Sequence, residues 1–586
     1  MSSSSMTNTG STLSADKASA VSSHDSGSEL SNSSSQLPEV VRPYTGDSFS
    51  QNNQDLENGL QEPTDDEKLM RVDTHADLSR ELSRKLTGAD TIKNDESTPI
   101  PKMGLDKDYP PMLPDSSAYT VSFNGPDDPL HPHNWPLKKK LIQCTLIGAN
   151  TFAIAFGSAI FAQAVLPLSK IYHVHTVVTT LSVTLYVLGF ATGPVIWAPL
   201  SEIYGRRPVL VMSSFAFCCF NFAVATSDRL ESILICRFFA GCLGAAPLVV
   251  VPASFADMFG NQTRGTAIVV FSMCVFCGPL LAPFIGGFIV ANHRLGWRWT
   301  EFITGILAAA SFVLIILFEV ETHHPIILVE KAREIKRRTG NWGIHAPHDE
   351  FELSIKEIVE NNLTRPIRML FTEPILLLIT IYNAFIYGML YLFLTAYPLV
   401  FAGGYGMAPG VAELPYFGLV IGQFLGGLFC IYCERDYNKK MAAAGGKIIP
   451  ENRLPPMIAG GVAFPIGLLW FCWTGNYHEH VHWIVPTISG LFTGFGLIAI
   501  FNPSMNYIID AYLLFAASAM AGNSFLRSTF GGVFPLFASF MFKNMGTNWA
   551  GLLLGLFAVV LIACPVGFLK YGKKLRQKSK FAFDLS

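Results

Sequence analysis

The feature that most restricts this chain is a succession of apolar runs, each roughly 20 residues long, between about residue 141 and residue 569. A helix of that length is as long as the hydrocarbon core of a bilayer is thick. Lipid offers no partner to a backbone N–H, so runs of this kind cross a membrane only as helices. Hydropathy predicts twelve spans: near 141–165, 177–200, 208–226, 231–256, 265–290, 299–319, 373–400, 413–432, 455–475, 482–508, 512–543 and 549–569. Composition agrees, because only 15% of residues are charged and 50% are hydrophobic, where a soluble chain carries about a quarter charged. The expected fold is an all-α membrane protein of twelve helices in two six-helix halves. A formal net charge of -2 gives no bulk attraction to nucleic acid.

The polar segments divide the chain further. Residues 1–115 are rich in Ser, Asn, Asp and Thr and are expected to be a disordered tail. Within it "DLSRELSRKLTG" puts Leu78, Leu82 and Leu86 on one helical face, with Arg80 and Arg84 ahead of Ser83 and Thr87 in the spacing that basophilic kinases read. No apolar h-region precedes a cleavage site, so Leu141 onward, behind Lys138, Lys139 and Lys140, acts as the first inserted span. A pre-membrane segment (116–140) leads to the first half (141–319), a central loop (320–372), the second half (373–569) and a short C-terminal tail (570–586). Lys and Arg concentrate in the alternate loops around 206, 264, 331–368, 435–453 and 570–580, which places both termini in the cytosol. Six spans, a basic loop and six more spans read as the two repeats of a transporter. In the loop, "PIILVEKAREIKRR" joins Ile327, Leu328 and Ile335 to a basic face and is expected to lie on the anionic inner leaflet. The sequons at Asn261 and Asn362 fall on the same cytosolic side and go unused.

Two patterns suggest other chemistry and fail on context. "NYHEHVHW" orders His478, Glu479 and His482 like a zinc protease helix, yet it sits in an outer loop too short to supply a third ligand and a cleft. Cys430 and Cys433 have redox spacing but end an apolar run with no partner pair, and the 11 cysteines show no disulfide framework. No catalytic or metal site is expected, nor any cofactor beyond a proton gradient as energy source.

Three stretches carry more than a span needs. "WAPLSEIYGRRPVL" ends the second span with Glu202, a turn at Gly205 and the cations Arg206 and Arg207. "ILICRFFAGCLGAAPLVVVP" places Arg237 inside the fourth, which costs about 2.5–3.5 kcal/mol on insertion scales and marks it as functional. "GPLLAPFIGGFI" gives the fifth a bend and small faces at Gly278, Pro279, Pro283, Gly286 and Gly287.

Together these stretches resemble the major facilitator superfamily, in its twelve-span drug:proton antiporter branch. Gly205, Arg206 and Arg207 match the loop signature, while Ala198, Glu202 and Ile203 stand where Gly, Asp and Arg are usual. The resemblance implies a charge network, including Asp257 of "SFADMF", that clasps spans 2, 4 and 11 as a conformational switch. It associates Arg237, matched with Gly241 and Gly244, with proton coupling. It makes Gly278, Pro279, Gly286 and Gly287 the antiporter helix, with Cys274 where Gly is usual. "DPLHPHNWP", "GWRW", "ETHHPIILVEKA", "NWGIHA", "LSIKEIV", "WFCWTG" and "LLLGLFAVVLIACPVGFLKYG" are similar to a group of fungal polyamine transporters, from about residue 108 onward. That group implies a plasma-membrane monomer that exports polyamines (spermine, spermidine, putrescine), azoles or other amphipathic toxins by alternating access.

The residues themselves suit a polycation only in part. Glu202, Asp257, Glu301, Glu373, Glu413 and Asp510 all fall toward span ends, so Glu301, Glu373 and Glu413 read as acids that draw a cation to either mouth. Span 7 supplies Tyr382, Asn383, Tyr387 and Tyr391, of which the last three share a face. With Phe492, Asn502, Asn506, Asn523 and Arg527 they suggest a cavity for small amphipathic cations, with ring contacts at Tyr387 and Tyr391 worth about 0.5–2 kcal/mol each. Import by the same fold and a transporter-like nutrient sensor stay open as alternatives.

Overall fold

A computed structural model of the chain describes residues 116–125, 127–350, 364–444, 449–512, 515–579 and 581. The expected tail with its Leu78–Leu82–Leu86 face, the "LSIKEIV" segment and the sequon at Asn362 lie outside the described residues. Eleven helical stretches are long and apolar enough to cross a bilayer. Spans 1 to 6 are Leu137–Ile171, Thr176–Ile203, Arg206–Thr226, Leu230–Met258, Thr263–Ala291 and Arg298–Phe318. Spans 7 to 10 are Pro374–Gly404, Val411–Ala443, Pro450–Asn476 and Ile484–Ala511. The last stretch, Ala516–Gln577, has 62 residues, about 90 Å of helix and enough to cross twice. It breaks at Gly546, whose φ of 78° and ψ of 158° lie outside helical geometry. Beyond the break Trp549 meets Trp473 of span 9, with ring centroids 6.4 Å apart. Spans 11 and 12 therefore lie on either side of Gly546, as the hydropathy pattern predicts. Several helices outrun their apolar cores: span 8 continues to Ala443, where Asp436 pairs with Lys440 at 2.8 Å one turn on.

The same pairings recur in both halves. Span 1 packs on span 5 as span 7 packs on span 11, through Gly278 against Phe156 and Gly388 against Phe534. Span 2 packs on span 4 as span 8 packs on span 10. A Cβ on Gly241 would stand 2.0 Å from the Tyr186 carbonyl oxygen, and one on Gly422 2.1 Å from that of Leu491. Span 3 packs on span 6 as span 9 packs on span 12, through Gly305 against Phe222 and Gly551 against Cys472. An offset of six spans reproduces each contact, which is the mark of an internal repeat. Spans 3, 6 and 12 expose large apolar side chains such as Phe215, Ile306, Leu317, Leu553 and Val560, as a face turned to lipid requires. Span 7 is enclosed nearly all round and anchors the largest core.

The halves meet along spans 2 and 11, where Thr184 Oγ1 donates to the Gly532 carbonyl at 2.8 Å. They meet again along spans 5 and 8, where Gln423 Nε2 donates to the Met273 carbonyl at 2.6 Å. We call the end that carries Arg206, Arg264 and Arg453 the basic end.

A strap covers the basic end of the first half. Val121 N donates to the His345 carbonyl at 2.9 Å and His345 N to that of Tyr119 at 3.1 Å. The helix His324–Thr339 buries Val329 and Ala332 with Ala346, against Val121, Leu328 and Ile344. Val329 and Ala332 are thus covered by the chain itself, while Ile327, Leu328 and Ile335, the face expected on the lipid surface, are half-buried. The reason is a partner about 200 residues away in sequence, invisible to helical periodicity. Lys331 Nζ reaches Asp128 at 3.5 Å, and His324 Nε2 hydrogen-bonds the Asp257 carbonyl at 2.9 Å. The rings of His131 and His324 lie 4.3 Å apart, with His133 5.0 Å from His131.

Burial holds His131 and His324 below the ordinary histidine range and pushes His323 down to about 3, with Arg206 and neighbouring histidines adding to the effect. Asp257 and Asp128 are the acids that face them. A histidine kept neutral in the closed strap gains its proton more readily in the loosened one. Strap stability is therefore present above about pH 6.5 and is lost as pH falls below it. Amide exchange at Val121 and His345, corrected for intrinsic rates, is expected to rise about tenfold between about pH 7.5 and pH 5.5. Unchanged exchange would show that the histidines do not hold the strap.

Candidate functional site

Arg237 is a wholly buried cation. Helical side chains lean toward the N-terminus of their own helix, so from span 4 it reaches back toward the end opposite the basic one. Its Nη1 donates to the Gly157 carbonyl of span 1 at 2.9 Å and to Glu301 Oε1 of span 6 at 3.1 Å. Its Nε donates to the Ser182 carbonyl of span 2 at 3.3 Å. The guanidinium carbon lies 4.2 Å from the Tyr186 ring centre and 4.7 Å from that of Phe161. One side chain thus joins four spans. Glu301, expected as an acid at an outer mouth, is itself wholly buried in this pair. Hydropathy sets it one turn inside span 6, and the reach of Arg237 brings the charge to it. Arg237 Nη2 and Glu301 Oε2 have no partner among the described residues.

At the basic end Gly205 turns with φ of 98°, and a Cβ there would stand 2.4 Å from Glu321 Oε2. Glu321 accepts from the backbone N–H of Arg206 at 2.9 Å and of Arg207 at 3.1 Å. Arg206 Nε pairs with Asp257 at 3.2 Å, and its Nη1 donates to Ser201 Oγ at 2.7 Å. Arg206 thus joins the end of span 2 to the end of span 4 and to the stretch after span 6; among the described residues no bond runs from it to span 11, where the resemblance puts the third member of the clasp. Glu202 is exposed, and the described partner of Arg206 is Asp257 instead, because Asp257 is delivered by the end of span 4. Arg207 Nη2 donates to the Ile316 carbonyl at 3.2 Å. The second half has a counterpart: Arg453 binds both oxygens of Glu434 at 2.8 and 3.0 Å and also pairs with Asp510. Arg264 of the first half stands 4.0 Å from Asp510. Glu321, Glu434 and Arg453 escape sequence reasoning because they lie at or beyond span edges, where charges are ordinary.

On span 5, Gly278 and Gly286 seat the helix against Phe156 and Ile160 of span 1, while Gly287 faces Glu413 across the halves. Pro279 lies inside the same helix. These residues form a seam, as small faces predict.

The central residues divide into two groups. Asn383 accepts from Ser504 Oγ at 2.7 Å, and its Nδ2 donates to Asn523 at 3.3 Å. Tyr391 shares hydrogen bonds with Tyr387 at 3.4 Å and with Ser158 of span 1 at 2.8 Å. Phe276 of span 5 closes on Tyr387 and Phe501. Asn383, Tyr387, Tyr391 and Asn523 therefore share one place between the halves. Asn502 and Asn506 do not join them. Two residues from Ser504 in either direction is about 200° around a helix, so they face Glu434 and Arg453 in a small cleft between spans 8, 9 and 10. Tyr382 points to Gly461 of span 9, and Phe492 packs on Trp470. Two of the mouth acids are also engaged: Glu373 accepts from Tyr512 at 3.2 Å and from Ser579, and Glu413 Oε1 accepts from Gln163 of span 1 at 3.0 Å. His478, Glu479 and His482 lie on the turn between spans 9 and 10, not on a helix.

Comparison with known proteins places this geometry in a wider set. A family model described as Major Facilitator Superfamily matches residues 147–534. The chain is 54% identical over 526 residues to the Major facilitator superfamily multidrug transporter FLU1 of Candida albicans, covering 89% of this chain and 86% of that one. It is 55% identical over 518 residues to the Multidrug transporter TPO1_2 of Candida glabrata, covering 88% and 89%. Among solved structures, the xylose transporter XylE of E. coli superposes with a TM-score of 0.51 at 16% identity, over 72% of this chain and 97% of that one.

Proposed function

The chain belongs to the Major Facilitator Superfamily and is a multi-pass transporter, and from that premise we propose that it exports amphipathic drugs from the cytosol in exchange for protons. The observation that carries the proton half of the reading is the buried Arg237–Glu301 pair. A proton reaching Glu301 cancels the pair and frees Arg237, which then releases its hold on spans 1 and 2. Those helices form part of the contact between halves. Proton entry is thus linked to a rocking motion about the central site. The basic end faces the cytosol and both tails lie there, in keeping with its cationic loops. The plasma membrane is the membrane we assign.

Drugs fit the centre better than polyamines. A polycation needs carboxylates or stacked rings to replace its water. Glu301 is paired with Arg237, and Glu373 is bonded to Tyr512 and Ser579. Spermidine therefore serves as the contrast in the test. The purified full chain is placed in vesicles with an imposed proton gradient, and movement of an azole and of spermidine is followed with and without a protonophore. Azole movement opposite to proton flow, lost on collapsing the gradient, is the expected result. Movement that ignores the gradient, or runs with the proton, would overturn antiport.

A further inference from the structure

Five arginines are buried among the described residues: Arg206, Arg237, Arg453, Arg527 and Arg576. Four of them hold a carboxylate: Asp257, Glu301, Glu434 with Asp510, and Glu451 respectively for Arg206, Arg237, Arg453 and Arg576. Arg527 holds none. It lies about 16 Å along span 11 from Ala516, close to the middle of a bilayer. Its guanidinium stands 4.8 Å from the ring centre of Tyr387 and 5.1 Å from that of Phe501. Its Nε has no hydrogen-bond partner among the described residues. Among the described residues the ionisable side chains beside it are the hydroxyls of Tyr387 and Tyr391, and no carboxylate reaches it.

An arginine without a counter-charge at this depth is costly, and such residues mark the path of a substrate or ion. The place is the one already described between the halves. Asn523 lies one turn away on the same face of span 11, and Phe276 packs on both Tyr387 and Phe501. Ring faces and a forked cation around one spot suit a molecule with an apolar body and a carboxylate head. The planar guanidinium matches a carboxylate with two parallel bonds.

We propose that Arg527 is the anchoring cation for a carboxylate on the transported molecule, so that amphipathic organic acids are a substrate class of this protein. A bound carboxylate supplies the charge that the protein withholds, with the organic body against Tyr387, Phe501 and Phe276. The proposal rests on the reading of the central site as the transport path. It also explains why a polyamine is a poor fit: Arg527 would face it with like charge.

Three matched probes test it: phenylbutanoate, its methyl ester and phenylbutylamine. Their binding to the purified full chain in lipid nanodiscs is measured by calorimetry, for the natural protein, Arg527→Gln and Arg527→Lys. The natural protein is expected to prefer the carboxylate over the ester by about tenfold or more, the scale of one charge-assisted contact in a dry site. Arg527→Gln brings that ratio near one, and Arg527→Lys, a point charge without the fork, leaves it in between. A structural role would weaken all three probes alike and leave the ratio unchanged. Equal binding of acid and ester to the natural protein, or a preference that survives Arg527→Gln, would overturn the proposal. Efflux of the same probes from vesicles separates the two readings. A carboxylate preference in binding with no efflux of any probe leaves the anion site standing and removes the export reading. Efflux without any preference does the reverse.

Discussion

Replacing Arg237 with alanine is expected to bring export to background, a loss of more than tenfold beyond any fall in the amount of protein at the membrane. The argument has two parts. Removing one partner of a buried ion pair leaves the other charge uncompensated, which costs about 3–5 kcal/mol. Here that charge is Glu301, already short of a partner at Oε2. The variant should therefore melt at a lower temperature as well as fail to transport. Glu301→Gln separates the two effects, because the amide keeps the shape and can still accept from Arg237 while it cannot take up a proton. Its melting temperature should stay closer to that of the natural protein than that of Arg237→Ala does, yet substrate should no longer drive proton movement in vesicles. Substrate-driven proton movement at the natural rate in Glu301→Gln would remove Glu301 from the coupling step.

Gly241→Ala is the second large effect, and it acts on folding. A Cβ at this position meets the carbonyl oxygen of Tyr186 at 2.0 Å and its Cα at 3.0 Å. The obstacle is backbone, so no rotamer change relieves it, and spans 2 and 4 must separate. Overpacking of this kind costs about 1–3 kcal/mol where side chains can give and more where they cannot. Separating the spans also disturbs the bond from Trp197 Nε1 to the Cys242 carbonyl, 3.0 Å long, and the ring contact of Tyr186 with Arg237. Folded, monodisperse protein recovered in mild detergent should fall by more than fivefold, against about 1 kcal/mol of helix propensity gained from the same change in an open position. Gly567→Ala is such a position, with nothing within 4 Å of its Cβ, and should match or exceed the natural yield. Equal recovery of the two variants would show that spans 2 and 4 are not closely packed in solution.

These cases also show what a sequence can tell about a transporter. Arg237 was legible because a charge within an apolar run has no ordinary explanation. Glu301 reads as a mouth acid because its place near the edge of span 6 has a bland explanation, and only the fold shows that a long side chain from span 4 reaches it. The clasp is half legible: Gly205 and Arg206 stand out in the sequence and Asp257 follows from the resemblance, whereas Glu321 works through backbone N–H groups that leave no pattern. Span 7 shows the same limit from another side. Four-residue spacing groups Asn383, Tyr387 and Tyr391 on one face, and the structure keeps them together. Periodicity does not say which neighbour a face meets, so the sequence groups Asn502 and Asn506 with them although they turn toward Arg453. The spans are readable as apolar helices because lipid imposes one secondary structure and a minimum length, whereas their ends run past the apolar cores and are not.

The strap has a use beyond its chemistry. Its helix His324–Thr339 is 16 residues long, about 24 Å, and its described attachments run to the first half: His324 to the end of span 4 and, through Lys331, to the segment before span 1. It therefore turns with that half like the pointer of a gauge. A tilt of about 10° moves the far end of such a rod by about 4 Å, since the displacement scales with its length. A spin label near Thr339, read against one on the C-terminal part of span 12, would follow the rocking of the halves from outside the membrane, with no probe in the transport path.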